Sequence, residues 1–266
     1  MRWITACVLS LLLFFALPIA AYADSPTISE EQIREGEVIA EKALEATEKG
    51  DYAQAENYWT ELVAKFPTNP AVWSNRGNAR VSLNKLEDAI ADFNQAIAIA
   101  PDAPDPYLNR GTALEGEGKY QEAIADYNKV LELDPNDAFA YNNRGNAEGG
   151  LGDWEAAVKD YRQATQLAPN FAWAQANLAL ALYELGRYPE AVQKMRNIAR
   201  KYPMFPDVRA ALSAVLWTQG QQGEAESNWV AAVGMDTRYQ DLDWVKSVRR
   251  WPPNMVLALD KFLNLK

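Results

Sequence analysis

Few residues in this chain have the type and spacing that catalysis requires. Its 266 residues include no histidine and a single cysteine, Cys7. Without histidine the chain cannot form a Ser-His-Asp or Cys-His nucleophile system, an imidazole general base or a zinc site that uses histidine. Cys7 lies in an N-terminal apolar run, so a chain that has lost this run has no thiol for disulfide or iron–sulfur chemistry.

Two kinds of loop remain as candidates for ligand chemistry. Residues 115–119, Glu-Gly-Glu-Gly-Lys, have a faint similarity to a phosphate-binding loop. They lack the first glycine at the required spacing, and Tyr120 stands where Ser or Thr is needed. The acids of 101–106 and 134–137 lack the ligand spacing of a calcium loop. Turns explain both better, and we predict no enzyme activity, catalytic residue, metal, cofactor or small-molecule substrate.

The charge balance argues against nucleic acid as a partner. The chain holds 36 acidic and 26 basic residues, a formal net charge of −10, whereas contact with phosphates requires a basic face. Apolar residues make up 48 % of the sequence, which favours a largely globular chain.

The first 23 residues have the organisation of a secretory signal peptide. Arg2 precedes an apolar run, Trp3 to Ala20, and Ala21-Tyr22-Ala23 matches the small-residue cleavage pattern. We therefore predict cleavage after Ala23 and export to a periplasm or thylakoid lumen. An uncleaved membrane anchor is the alternative, because a run of about 18 residues is the lower limit for crossing a bilayer.

A 34-residue period organises most of the remaining chain. Within each period a small residue recurs at position 8, alanine at 20, a large residue at 24 and proline at 32. The alanines are Ala55, Ala89, Ala123, Ala157, Ala191 and Ala225. Apolar residues spaced i, i+4, i+7 predict two antiparallel helices per period. The small residues let these helices approach, the large residue fills the space beside them, and proline ends the second helix.

This pattern resembles the tetratricopeptide repeat family, most specifically in Trp73-Ser74-Asn75-Arg76-Gly77, Tyr107-Leu108-Asn109-Arg110-Gly111 and Tyr141-Asn142-Asn143-Arg144-Gly145. The resemblance implies an all-α, right-handed superhelical solenoid of about six 34-residue helix-turn-helix repeats with a C-terminal capping helix. We place a lead-in at 24–35 and a capping segment at 238–266, with Ser29-x-x-Gln32 or Thr27-x-x-Glu30 as the capping box of the first helix. The repeats are 36–69, 70–103, 104–137, 138–171, 172–205 and 206–237.

The resemblance further implies that positions 2, 5, 6, 9, 12 and 13 of each repeat face a concave groove. The amides at these positions are Asn75, Asn78, Asn109, Asn143, Asn146 and Asn177, and the aromatic residues are Phe139, Trp173, Tyr183 and Trp217. Amides both donate and accept, so they can hold the backbone of an extended peptide, and aromatic residues are common interface anchors. Gly116, Gly149 and Gly150 leave room there.

Each of these groove assignments has a structural alternative. The amides can bond neighbouring helices, and the aromatic residues can pack between repeats. The basic residues of a carboxylate clamp are missing, so specificity for acidic C-termini is not implied. Arg76, Arg110 and Arg144, at position 7, are expected to lie between helices with their heads tied to nearby acids.

The C-terminal segment differs from the repeats in charge. Residues 238–266 are net basic, whereas residues 24–237 are strongly acidic. Lys246, Arg249 and Arg250, with the apolar last helix, predict peripheral contact with an anionic membrane. The alternative is a cap whose bases face the acidic repeats.

These observations predict a non-catalytic protein–protein interaction scaffold or assembly adaptor on the exported side of a membrane, with a peptide segment of its partner in the groove. The Trp-x-Asn-Arg-Gly pattern and the tail Arg249-Arg250-Trp251-Pro252-Pro253 are similar to cyanobacterial and plastid lumenal proteins, which are associated with assembly of photosynthetic complexes. The alternative is a peripheral membrane-associated subunit of an envelope secretion or cell-wall machine, with the basic C-terminal helix at the membrane.

Overall fold

The computed structural model describes residues 29–264, and this part of the chain is helical throughout, without a strand. It forms two compact units, one ending at Leu133 and the other beginning at Asp134. The proposed signal peptide, its cleavage site and Cys7 lie outside the described residues.

The first unit contains three helical hairpins. Their helices are α1 Glu30–Glu48, α2 Tyr52–Lys65, α3 Pro70–Ser82, α4 Leu86–Ile99, α5 Pro104–Gly116 and α6 Tyr120–Leu133. A capping box at Ser29 starts α1, as one of the two sequence alternatives predicts. The Gln32 backbone N–H donates to Ser29 Oγ at 3.2 Å, and the Ser29 N–H donates to Gln32 Oε1 at 2.9 Å.

The second unit contains three more hairpins and a C-terminal segment. Its helices are α7 Ala138–Gly150, α8 Trp154–Leu167, α9 Ala172–Glu184, α10 Tyr188–Lys201, α11 Pro206–Thr218 and α12 Gln222–Met235, followed by a 3-10 helix Thr237–Gln240, α13 Leu242–Ser247 and α14 Pro253–Asn264. We call α1, α3, α5, α7, α9 and α11 the first helices of their hairpins, and their partners the second helices.

The turn inside a hairpin needs one residue with a left-handed backbone. Gly118 supplies it between α5 and α6 with φ of 75°, a conformation that costs glycine little. Asn84 takes the same role between α3 and α4 with φ of 58°, which asparagine tolerates better than most residues. The polar turn at this point in the sequence is therefore equivalent to the glycine turns of the other repeats.

The period-34 pattern is explained by a contact inside each hairpin. A Cβ added to Gly77 would lie 2.6 Å from the Phe93 ring, and one added to Gly111 would lie 2.6 Å from the Tyr127 ring. Phe93 and Tyr127 are both fully buried. The prediction that a small residue at position 8 makes room for a large one at position 24 is confirmed.

The C-terminal helix α14 packs on the first helices α11 and α9. Its apolar side, including Met255, Leu259 and Phe262, is fully buried. The backbone N–H of Asn254 donates to Glu184 Oε2 at 2.8 Å, so a side chain of α9 caps the start of α14. Val230 on α12 stays 68 % exposed. The segment therefore covers first helices, while part of the last second helix faces solvent.

Candidate partner-binding surface

The amides of the first unit are available for binding. Asn75 on α3 and Asn109 on α5 are half-buried, and Asn78 is exposed. Within residues 29–264 their side chains make no hydrogen bond. Each amide therefore keeps its donors and acceptor for another molecule.

The amides of the second unit are used inside the fold. Asn177 on α9 is 9 % exposed, and its Nδ2 donates to Oδ1 of Asn142 and of Asn146, both at 3.1 Å. Asn146 also accepts from the Tyr161 hydroxyl at 3.0 Å, and Asn143 accepts from Asn142 Nδ2 at 3.1 Å. For Asn146 and Asn177 the structure favours the alternative of hydrogen bonding between helices, whereas Asn143, within the described residues, bonds only its neighbour on α7. Asn177 in particular is buried.

The C-terminal segment reinforces this difference between the units. Arg249 Nη2 donates to Asn177 Oδ1 at 3.1 Å and to Asp207 Oδ2 at 2.8 Å, while its Nε donates to Asp207 Oδ1 at 2.6 Å. Asp207 is fully buried and also accepts from the Tyr239 hydroxyl and the Trp251 indole N–H. One carboxylate at position 2 of the last repeat thus fixes the whole segment onto α9 and α11.

Two of the predicted groove aromatics pack against other rings of the second unit. Tyr183 is only 9 % exposed, and its ring meets that of Tyr188 with centroids 4.9 Å apart. Trp217 packs edge-on against Phe262 of α14 at 5.3 Å. Tyr183 is therefore covered within its hairpin, whereas Trp217 is only partly covered, by the C-terminal segment.

The other two predicted aromatics remain at the surface. Phe139, on the first turn of α7, is 60 % exposed and meets Phe171 at 4.8 Å between centroids. Trp173, on the first turn of α9, is 47 % exposed and meets Phe205 edge-on at 4.7 Å. The same arrangement thus occurs twice, one repeat apart, with each exposed ring supported by a loop phenylalanine.

Two glycines that the sequence suggests as open space serve internal packing instead. A Cβ on Gly149 would lie 2.7 Å from the Trp154 ring, and one on Gly116 would lie 2.8 Å from Leu86 Cδ1. Gly149 is buried. The room that these glycines leave is filled by side chains of the protein itself.

The guanidinium groups of the arginines at position 7 pair with aspartates, which confirms the prediction that they bind nearby acids. Arg76 contacts Asp92 at 2.9 and 2.6 Å, and Arg110 contacts Asp126 at 2.8 and 2.6 Å. Arg144 holds Asp160 in the same two-point way. Each guanidinium also lies over the aromatic ring three residues earlier. Sequence reasoning did not identify the acids, although Asp92, Asp126 and Asp160 follow the same 34-residue period.

The three bases predicted to contact a membrane do not act as one cationic face. Arg249 is held by Asp207 and stacks over the Trp173 ring at 4.8 Å, with only 15 % of its side chain exposed. Lys246 and Arg250 are exposed. Because Arg249 is used internally, the structure favours the alternative in which a base of the cap faces the repeats. Within residues 29–264 no helix combines the length and apolar character needed to cross a bilayer.

One carboxyl group of α7 lies in an unfavourable environment. Glu148 Oε2 is buried and has no hydrogen-bond partner among the described residues. Burial, reinforced by the nearby charge of Asp160, raises the pKa of Glu148 to about 7, and Arg144 only partly opposes this change. The group therefore titrates near neutral pH, which no feature of the sequence indicates.

Similarity to solved structures supports the repeat architecture. The chain is 19 % identical to a tetratricopeptide repeat protein from Parabacteroides merdae, with a TM-score of 0.61 over 87 % of this chain and 99 % of that one. It is 18 % identical to a thermophilic repeat protein of Thermus thermophilus, with a TM-score of 0.59 over 68 % and 99 %. It is also 18 % identical to YrrB, described as a repeat protein with an unusual peptide-binding site, with a TM-score of 0.53 over 76 % and 97 %.

Family profiles give the same result from sequence. Profiles described as TPR repeat or tetratricopeptide repeat match residues 77–116, 104–137, 126–159, 150–186 and 177–237. No curated protein matches the chain. The profile matches run without a break from 77 to 237, which is more than half of the chain and contains the four hairpins from α5 to α12, so the chain belongs to the tetratricopeptide repeat family.

Proposed function

We propose that the protein is a non-catalytic scaffold that holds an extended segment of a partner protein on its first helices. The observation that carries this proposal is the repeated arrangement of Phe139 and Trp173. Both rings are about half exposed or more, and both are braced by a second ring. A braced aromatic side chain has little freedom left to lose on binding, and such residues dominate interface energies.

The free amides of the first unit form a polar surface of their own, which we propose also contacts the partner. Asn75 and Asn109 occupy the same repeat position on successive first helices, and their side chains have no partner within residues 29–264. An extended backbone presents alternating N–H and C=O groups, which an amide can satisfy on both sides. Asparagine is also a mediocre helix former, so its recurrence at one position is consistent with a binding role.

We further propose that this scaffold works as an assembly adaptor after export, in a periplasm or thylakoid lumen. Support comes from the apolar run Trp3 to Ala20 and the Ala-Tyr-Ala pattern that follows it. Intact-mass analysis of protein recovered from the exported compartment tests this. A mature chain that begins at Asp24 supports export with cleavage, whereas a full-length chain in the soluble cytoplasm would contradict it.

Partner capture tests the binding surface. Crosslinking and mass spectrometry identify what the protein binds, and the same capture is then repeated with Phe139→Ala, with Trp173→Ala and with Asn75 and Asn109 both changed to alanine. We expect each variant to lose most of the captured partner, and Val230→Ala, an exposed apolar change on α12, to lose none. Capture that survives all three changes, in variants with normal melting temperatures, would refute the proposed surface.

A further inference from the structure

The second helix α10 is net basic. It carries Lys194, Arg196, Arg200 and Lys201 against one acid, Glu190, in a protein of net charge −10. Arg196 and Arg200 are four residues apart and lie on the same side of the helix. This side belongs to a second helix, so it is distinct from the surface proposed above, which lies on first helices.

A recess of about 420 Å³ opens beside these two arginines. Along α10 it is lined by Tyr188 and Val192 in the first half and by Arg196 and Arg200 in the second, and Gln219 contributes from the turn after α11. No acidic residue lines it. Tyr188 is 47 % exposed, and its ring packs against the ring of Tyr183. The recess thus combines a supported aromatic surface with positive charge.

The two arginines differ in how far their charge is compensated. Arg196 makes a two-point contact with Glu224 at 3.0 and 2.7 Å and a further bond to Gln221 at 2.7 Å. Within the described residues, Arg200 bonds only to Asn197 Oδ1 at 2.7 Å and to the Arg196 carbonyl at 3.3 Å. Among residues 29–264 no carboxylate pairs with Arg200, so the recess keeps a net positive charge on an oriented guanidinium.

Both arginines also line a neighbouring recess of about 420 Å³, together with Ala199, Leu212, Asn228 and the acidic Glu224, which is the partner of Arg196. The guanidinium groups therefore border two depressions, each of which has some apolar lining. A segment crossing them could place an acid on Arg200 and apolar side chains on either side.

We infer that this face of α10 is a second docking site, for an acidic segment of a partner protein. A carboxylate of that segment pairs with Arg200, and an adjacent apolar side chain contacts Tyr188 and Val192. Carboxylate is the group that a guanidinium binds with two parallel hydrogen bonds. A polyphosphate fits less well, because it has no apolar group to place against Tyr188 and Val192.

Fluorescence anisotropy with a labelled octapeptide of alternating glutamate and leucine tests this inference on the purified protein. We expect saturable binding that weakens with added salt. Arg200→Gln is expected to weaken it about fivefold or more, whereas Lys194→Gln, which removes the same charge from the same helix, changes it less than about twofold. Tyr188→Ala should weaken binding of the glutamate–leucine peptide more than it weakens binding of an all-glutamate peptide.

Several outcomes would overturn the inference. These are equal losses in Arg200→Gln and Lys194→Gln, absence of saturable binding, or tighter binding of a single-stranded oligonucleotide than of the peptide. Self-association in sedimentation that Arg200→Gln abolishes would also overturn it, because the occupant would then be a second copy of this chain. Equal melting temperatures of the variants establish that the comparison reports binding rather than folding.

Discussion

Asp207 and Arg249 form a two-point ion pair, at 2.6 and 2.8 Å, between residues 42 positions apart in the chain. Asp207 is fully buried, and 15 % of the Arg249 side chain is exposed. A buried carboxylate is stable only when its lone pairs are satisfied, and Tyr239 and Trp251 supply the remaining donors. The pair therefore ties the C-terminal segment to the repeats at a buried point, in addition to the apolar contacts of α14.

Asp207→Asn is expected to destabilise the protein by about 3–5 kcal/mol, because it leaves the Arg249 charge largely buried without its partner. Urea unfolding measures the loss, and limited proteolysis should show faster cleavage within 241–250. Asp243→Asn, an exposed change in the same segment, is the matched control. Equal stability of the two variants would contradict the assigned role of Asp207.

Asn177→Ala and Asn109→Ala are expected to have opposite consequences. Asn177 is buried and bonds three side chains, so its removal should cost about 1–3 kcal/mol. Asn109 makes no side-chain hydrogen bond within the described part of the chain, and alanine is the better helix former, so stability should stay equal or rise slightly. Thermal melting distinguishes the two, and a similar loss in both would mean that Asn109 also has an internal partner.

Gly111→Ala and Gly223→Ala test the close approach within a hairpin. At Gly111 the new methyl group would meet the Tyr127 ring at 2.6 Å, so we expect a loss of about 1–3 kcal/mol through overpacking. At Gly223 on α12 nothing lies within 4 Å, and alanine should stabilise by about 0.5–1 kcal/mol. If calorimetry shows the same sign for both, packing at position 8 is not the reason for glycine there.

Glu148 predicts a specific pH dependence. Its pKa of about 7 in the folded protein lies above the unfolded value of about 4.3. The folded state thus binds the extra proton, so this contribution to stability is full below the unfolded pKa and is lost as pH rises through 7. Glu148→Gln should therefore be more stable than the parent at pH 8 and closer to it at pH 5 in urea titrations. An unchanged difference between these pH values would contradict the assignment.

Much of the fold is predictable because it follows from local spacing. The 34-residue period gives the two helices, the turn and the small–large contact of Gly77 with Phe93, since all of these depend on residues within one repeat. The Arg76–Asp92 pair is predictable for the same reason, because both residues recur with the period.

The C-terminal contacts could not be predicted in this way. Asp207 takes the repeat position that Phe139 and Trp173 occupy earlier, so the pattern suggests a surface residue there. Its partners come from outside the period, and only the folded chain brings Arg249 to it. Arg249 also bonds Asn177, and Phe262 of the same segment packs on Trp217, whereas Phe139 stays exposed.

The position of α14 on α9 and α11 means that the number of repeats does not set the length of the accessible surface. The C-terminal segment is covalently attached, so its effective concentration at the surface of α9 and α11 is far higher than that of a separate peptide. A separate peptide would have to displace it to reach this surface. Substitutions that release the C-terminal segment would therefore enlarge the exposed surface of the first helices without inserting a repeat.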